Sequence, residues 1–216
     1  MNIQENIKNI INKIGPTVKL VAVSKTRSIQ DIKKAYNSGQ KIFGENRVQE
    51  LVGKFNRLPR DIEWHMIGHL QKNKVKYISS FIDLIHSLDR ISLAKEINNC
   101  AKKENRKIDC LIQLKISKED SKFGLEPSEI YNFYSELINL NHINVVGLMG
   151  MASFTSNESI IKDEFKSIHK IYNKLKDINP NINILSIGMS DDYEIAIRNG
   201  SNMIRVGSKI FGNRNQ

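Results

Sequence analysis

Short apolar runs rich in β-branched residues recur along the chain, bounded by turn residues, and stretches with a 3.6-residue apolar period lie between nearly every pair. The runs fall at residues 18–24, 41–44, 63–67, 84–88, 108–116, 144–149, 183–188 and 203–206. Helical periodicity occupies 29–38, 46–57, 70–80, 90–105, 127–140, 158–178 and 191–199. A further amphipathic helix precedes them, with Ile3, Ile7, Ile10, Ile11 and Ile14 on one side. Gly39 and Gly200 sit where helices are expected to end. Eight strand–helix units predict an α/β protein, a single (β/α)8 TIM barrel of parallel strands with an extra N-terminal helix; an open, doubly wound sheet of six or seven strands is the alternative. The longest polar loops, 117–127 and 152–159, follow the fifth and sixth strands and would overhang the face on which such barrels place their sites.

Composition narrows the class. A chain of 216 residues with 40% hydrophobic content fits one domain, taken as residues 1–216. Cys100 and Cys110 lie in no CxxC spacing and suggest no disulfide framework, so a reducing, cytoplasmic setting is expected. The first residues mix acid, base and amide where a signal peptide needs an apolar stretch, and no segment is apolar for long enough to span a bilayer. The net charge of +10 raises the question of a polyanionic partner. The lysines, however, are spread among Glu and Asp along the helical segments, which reads as a solvated surface rather than a nucleic-acid or membrane interface.

Chemistry concentrates at strand ends. In Val21-Ala22-Val23-Ser24-Lys25, period two puts Lys25 at the top of an inward-facing apolar file, at the barrel mouth. Partial desolvation favours the neutral amine that Schiff-base formation needs, although a strand can also end in lysine because the chain is re-entering water. Ser190, after the seventh strand, reads as a helix N-cap. Gly207 and Ser208 follow the eighth strand. Loops at these two positions, with free backbone N–H groups at a helix start, form the usual phosphate cradle of this architecture; a plain cap and a tight turn are the blander readings. Arg205 shares the inward face with Met203 and Gly207 and therefore needs an acceptor, which is either a core ion-pair partner or a ligand's ring nitrogen or phosphate. His65 and His69 straddle a strand end and Gly68, a poor spacing for a metal; Trp64 and His65 are expected at the barrel wall and rim. Asp89 and Arg90 read as a solvated helix start.

Several blocks together resemble the pyridoxal phosphate homeostasis protein family, relatives of the barrel domain of alanine racemase. They are Val21-Ala22-Val23-Ser24-Lys25-Thr26, Phe43-Gly44-Glu45-Asn46-Arg47-Val48-Gln49-Glu50, Trp64-His65-Met66-Ile67-Gly68-His69-Leu70-Gln71-Lys72-Asn73-Lys74, Lys122-Phe123-Gly124, Gly147-Leu148-Met149, Gly188-Met189-Ser190 and Arg205-Val206-Gly207-Ser208-Lys209-Ile210-Phe211-Gly212. The resemblance implies pyridoxal 5′-phosphate bound by a Schiff base to Lys25, its phosphate held by Ser190, Gly207 and Ser208, Arg205 facing the pyridine nitrogen, and Asn46 in the pocket. Gln113-Leu114-Lys115 departs from the family, which tends to carry an asparagine at or near Lys115. An arginine at the ring nitrogen weakens the cofactor as an electron sink, and the chain stops soon after its eighth strand, where racemases continue into a second domain. The expectation is a monomeric carrier or buffer of the cofactor that serves apo-enzymes dependent on it. A weak amino-acid racemase is the alternative.

Overall fold

The computed structural model describes residues 2–117, 119 and 123–212. Eight strands, β1 (Lys19–Val23), β2 (Ile42–Glu45), β3 (Glu63–Met66), β4 (Leu84–Leu88), β5 (Ile108–Leu114), β6 (Ile143–Gly150), β7 (Ile184–Ser186) and β8 (Met203–Val206), pair in chain order. All neighbours are parallel, and β8 returns to β1 with Val21 beside Arg205. The barrel is closed, and the open-sheet alternative is excluded. Around it lie α2 (Ile29–Asn37), α3 (Val48–Phe55), α4 (Ile91–Lys103), α5 (Ile130–Leu137), α6 (Glu158–Ile178), α7 (Tyr193–Arg198) and the short α8 (Ser208–Phe211), with α1 (Ile3–Ile14) ahead of β1.

Local chemistry explains the helix ends. Asn2 and Ser28 cap α1 and α2 by accepting the backbone N–H of Glu5 and Asp31. Gly39 and Gly200 follow the helix C-caps with φ of 95° and 93°, a conformation that costs other residues dearly. In α1, Ile3, Ile7, Ile10 and Ile14 are buried, whereas Ile11 is 43% exposed and does not belong to the packed stripe. The segment expected as a helix over 70–80 is instead a 3-10 turn at Lys72–Tyr77 that buries only Val75. Three alternating lysines there leave no apolar face wide enough to hold an α-helix on the barrel. Likewise, the helix expected over 127–140 opens as a 3-10 turn at Pro127–Glu129 before α5.

Period two divides the strand side chains into two cores. Phe43, Trp64, Ile85, Ile112, Leu148, Leu185 and Ile204 point outward into one cluster shared with the helices. Val21, Leu84, Leu111, Val146, Met149 and Met203 point inward and form a small separate plug. Leu84 and Met203 open their strands, and the residues two further along, His86 and Arg205, lie one layer up, where Val21 is level with Arg205. Cys100 and Cys110 are buried free thiols. No helix among the described residues is long and apolar enough to cross a membrane.

Two glycines test this packing in opposite directions. A Cβ on Gly147, in β6, would lie 1.9 Å from the Ile184 carbonyl oxygen of the paired strand, while one on Gly53, exposed in α3, would meet nothing within 4 Å. Gly147→Ala is therefore expected to destabilise the protein by about 3 kcal/mol, and Gly53→Ala to stabilise it by about 0.5–1 kcal/mol. Urea unfolding of both variants checks this. A Gly147→Ala midpoint equal to that of wild type would contradict the strand packing described.

Candidate functional site

The carboxyl ends of β7, β8 and β1 are neighbours, and they gather most of the residues singled out in the sequence. Val21 belongs to the inward plug, and Val23 lies against Gly207, where a Cβ would sit 3.3 Å from the Val23 Cβ. Lys25 lies two residues beyond the end of β1, half-buried, in a turn closed by the Arg27 N–H donating to the Ser24 carbonyl at 3.0 Å. Arg27 donates to the Gly212 carbonyl and lies over the Phe211 ring, which ties this turn to α8. Ser190 is buried, and its Oγ accepts the Gly207 N–H at 3.2 Å, linking the exits of β7 and β8. It is not the N-cap of α7. That position belongs to Asp192, whose carboxylate accepts the Met189 N–H at 2.6 Å, because the chain makes an extra turn at Gly188 before the helix begins. A Cβ on Gly188 would lie 2.6 Å from that of Ala196, so this turn requires glycine. Ser208 is exposed at the start of α8, where the first backbone amides have no partner within the helix.

Below this rim sits Arg205, 4% exposed. Among the described residues no carboxylate forms the core ion pair considered for it. Its Nη1 donates to the carbonyl and hydroxyl of Ser186, both at 2.7 Å, and Nη2 donates to the Gly150 carbonyl at 3.0 Å. Desolvation lowers its pKa to about 10, against a partial opposing pull from Asp192, so the guanidinium stays cationic at neutral pH. The Ser186 hydroxyl also meets His86 Nδ1 at 3.2 Å, and His86 Nε2 meets His65 Nδ1 at 3.0 Å. Burial and, for His86, the neighbouring His65 and Arg205 hold both imidazoles well below their ordinary pKa, His65 at about 3. With both rings neutral, the assignment that gives each donor an acceptor runs from Arg205 to Ser186, to His86 Nδ1, and from His86 Nε2 to His65. His65 is thus an interior residue rather than a rim residue, whereas Trp64 does pack in the wall beside Phe43.

Other strand ends offer acceptors, one beside β1 and one across the barrel from it. Asn46 follows β2, and its Oδ1 is buried without a hydrogen-bond partner; Gln113, near the top of β5, leaves Oε1 in the same condition while its Nε2 donates to the Phe123 carbonyl at 2.8 Å. Such orphaned atoms are costly unless a polar ligand meets them. Gly68 packs on the Asn46 backbone, where a Cβ would lie 2.4 Å from the Asn46 carbonyl oxygen, and so fixes how Asn46 enters the mouth. A cationic floor, amides and hydroxyls on one rim and amide oxygens at other strand ends fit a phosphate-bearing polar ring. His69 stacks on Phe123 and lies 3.5 Å from Asp89, remote in role from His65, and no group of three or more potential metal ligands occurs among the described residues. Asp89 is not solvated as expected. Its side chain is 8% exposed, between His69 and Arg90, and Arg90 also donates to the Leu70 carbonyl at 2.7 Å. Lys122, part of one resembling block, lies outside the described residues. His86 and Ser186 were missed in the sequence; their only signal was inward parity with Leu84 on β4 and proximity to Gly188 on β7.

The neutral histidine pair has a pH signature. Unfolded, each imidazole takes up a proton near 6.5, whereas His65 in the fold resists until about 3, so the unfolded state binds more protons between these values and stability falls as pH falls. One such group contributes a slope of roughly 1.4 kcal/mol per pH unit. His65→Gln, which keeps an acceptor for His86, is expected to flatten the loss of unfolding free energy between pH 6 and 4 by about that amount. Parallel curves for variant and wild type would contradict a neutral His65.

Comparison with known proteins agrees with this geometry. The profile of the alanine racemase N-terminal domain matches residues 1–215. The pyridoxal phosphate homeostasis protein of Haemophilus influenzae is 40% identical over 100% of this chain and 97% of its own, and that of Aquifex aeolicus 36% identical over 99% of each. PipY of Synechococcus elongatus, solved with PLP bound, superposes with a TM-score of 0.88 at 31% identity, covering 97% of this chain and 100% of PipY. Alanine racemase of Clostridium difficile shares the fold, with a TM-score of 0.79 at 18% identity over 100% of this chain and 56% of the racemase. A closed barrel carrying the lysine, the rim and the buried arginine, matched from end to end by these relatives, belongs to the pyridoxal phosphate homeostasis protein family.

Proposed function

We propose that this chain binds pyridoxal 5′-phosphate in the barrel mouth through a Schiff base on Lys25 and acts in the cytoplasm as a monomeric carrier or buffer of the cofactor for apo-enzymes. The observation that carries the reading is the convergence of Lys25, the joined Ser190–Gly207 rim and the buried, cationic Arg205 on three adjacent strand ends. The orphaned oxygens of Asn46, beyond the neighbouring β2, and of Gln113, on β5 across the barrel, support it. So do the names of the curated relatives and the PLP held by PipY.

When bound, the cofactor supplies an electrophilic aldehyde carbon and, if its ring nitrogen is protonated, an electron sink. This chain's residues favour the first property over the second. Lys25 offers an amine at the edge of an apolar file, where water is partly excluded. Ser190, Gly207 and Ser208 offer hydroxyls and backbone amides to a dianion, and Arg27 fixes their rim against the Lys25 turn. Arg205 would present a positive charge to the ring nitrogen, and like charge would oppose protonation there. Withholding that proton removes the stabilisation that chemistry at an amino acid's α-carbon requires, which suits storage over turnover.

Three outcomes are expected. Borohydride treatment should fix the cofactor on the peptide containing Lys25, and Lys25→Ala should lose the label; a label retained elsewhere in that variant would overturn the assignment. Pyridoxal should bind far more weakly than its phosphate, and Ser190→Ala should lower affinity for the phosphate by about 1–2 kcal/mol because the backbone donors remain. Equal affinities would remove the cradle. Proton exchange at the α-carbon in deuterated water should be negligible across a panel of amino acids, and fast, saturable exchange abolished by Lys25→Ala would replace the carrier with an enzyme.

A further inference from the structure

The turn that carries Lys25 is held in a conformation its sequence does not favour. The Arg27 N–H closes it onto the Ser24 carbonyl, leaving Lys25 and Thr26 at its two central positions. Thr26 adopts φ of 64°. A positive φ at the second central position is the mark of a type II turn, where glycine or asparagine is the ordinary occupant, and a β-branched side chain is among the least tolerant of it. Among the described residues the one other non-glycine with positive φ is Asn105, a residue type suited to that role. Something outside the turn must therefore impose this shape on Thr26.

Helix α3 and the end of β2 supply it. Glu50 Oε2 accepts the Thr26 N–H at 2.8 Å. Lys54, one helical turn further, donates to the Ser24 carbonyl at 2.8 Å, to Glu45 Oε1 at 2.7 Å and to Glu50 Oε2 at 3.3 Å. Glu45 Oε1 also accepts the Ser24 hydroxyl at 2.5 Å. Both residues that bracket Lys25 are thus gripped by one group of three charges, of which Glu45 and Lys54 are almost fully buried. Two buried charges and a third half-buried one are an expensive way merely to pack a helix on a barrel, since apolar side chains of like volume do so at no desolvation cost. Burial opposes ionisation of Glu50, but the Thr26 N–H and Lys54 outweigh it and keep the carboxylate charged, as an anchor must be.

We infer that Glu45, Glu50 and Lys54 are positioning residues that hold Thr26 in its left-handed conformation and thereby aim Lys25 at the aldehyde of a cofactor in the barrel mouth. The inference rests on the reading of Lys25 as the cofactor lysine. The clamp acts on the covalent step, in which the Lys25 amine condenses with the aldehyde and the aldehyde oxygen leaves as water. Its contacts are to Ser24 and Thr26, whereas the phosphate rim is built from β7, β8 and α8 and is tied to the turn through Arg27, which the clamp variants leave in place. Losing the clamp therefore separates two measurements that a general loss of structure would move together.

The test uses the full chain and two probes: pyridoxal 5′-phosphate, followed by visible absorbance in stopped flow, and pyridoxine 5′-phosphate, whose alcohol cannot condense with an amine, followed by calorimetry. Glu50→Ala is expected to slow condensation about tenfold while leaving pyridoxine 5′-phosphate affinity within about twofold of wild type. Glu50→Gln, which keeps an acceptor for the Thr26 N–H, should lose less. In a Thr26→Gly background, where the turn needs no external restraint, the effect of Glu50→Ala should shrink below about twofold. If Glu50→Ala does not fold, the same comparison is made with Glu50→Gln. A loss unaffected by glycine at position 26, or equal losses with both probes, overturns the clamp. Retention of the borohydride label by Lys25→Ala would instead overturn the underlying assignment of the lysine, whatever the clamp variants do.

Discussion

A guanidinium buried in the middle of a barrel is the constraint around which this site is arranged. Arg205 has surrendered water, and among the described residues no carboxylate bonds to it in return; its hydrogen bonds go to two main-chain carbonyls and one serine hydroxyl. Those neutral acceptors fix the plane of the group without cancelling its charge. His86 and His65, in the same interior, are held neutral chiefly by burial, with Arg205 adding to the effect on His86. Asp192 offsets the Arg205 charge only in part.

The strand ends above Arg205 are joined by contacts that cross from one unit to the next. Ser190 on the β7 exit takes the Gly207 amide from the β8 exit. Arg27, just beyond β1, reaches the carbonyl end of α8. Gly68, beyond β3, lies flush on the backbone of Asn46 beyond β2. Because neighbouring loops brace one another, the mouth can keep its donors and acceptors in place with short connections, and α8 needs only four residues to complete the rim.

Much of this was legible in the order of residues, for identifiable reasons. Closure into eight strands followed from the count of apolar runs, and the inward direction of Arg205 followed from period two along β8, since parity survives wherever a strand is regular; Lys25 lies two residues beyond the end of β1, in a turn where period two has no strand to act on. Asn46 could be placed only at a strand exit, because the loop after β2 has no period to read; only the resemblance implies a place for it in the pocket, and its buried, unpartnered Oδ1 is what the structure adds. Ser190 was read as a cap since serine commonly is one, yet Asp192 took that position and freed the hydroxyl for Gly207. The polar chain through His65, His86 and Ser186 was invisible because it links three strands far apart in sequence, and one residue's parity says nothing of its partner. The lysine-rich segment at Lys72–Tyr77 failed as a helix because its single buried residue, Val75, could not anchor more than one tight turn.

The central claim is that Arg205 keeps a bound pyridine nitrogen unprotonated. Nitrogen-15 NMR of the protein loaded with pyridoxal 5′-phosphate labelled at the ring nitrogen addresses this directly. The account predicts a single resonance at the position of an unprotonated pyridine, unmoved from mildly acidic to mildly alkaline pH. A resonance at the pyridinium position at neutral pH, or one that titrates between the two across that range, would contradict it.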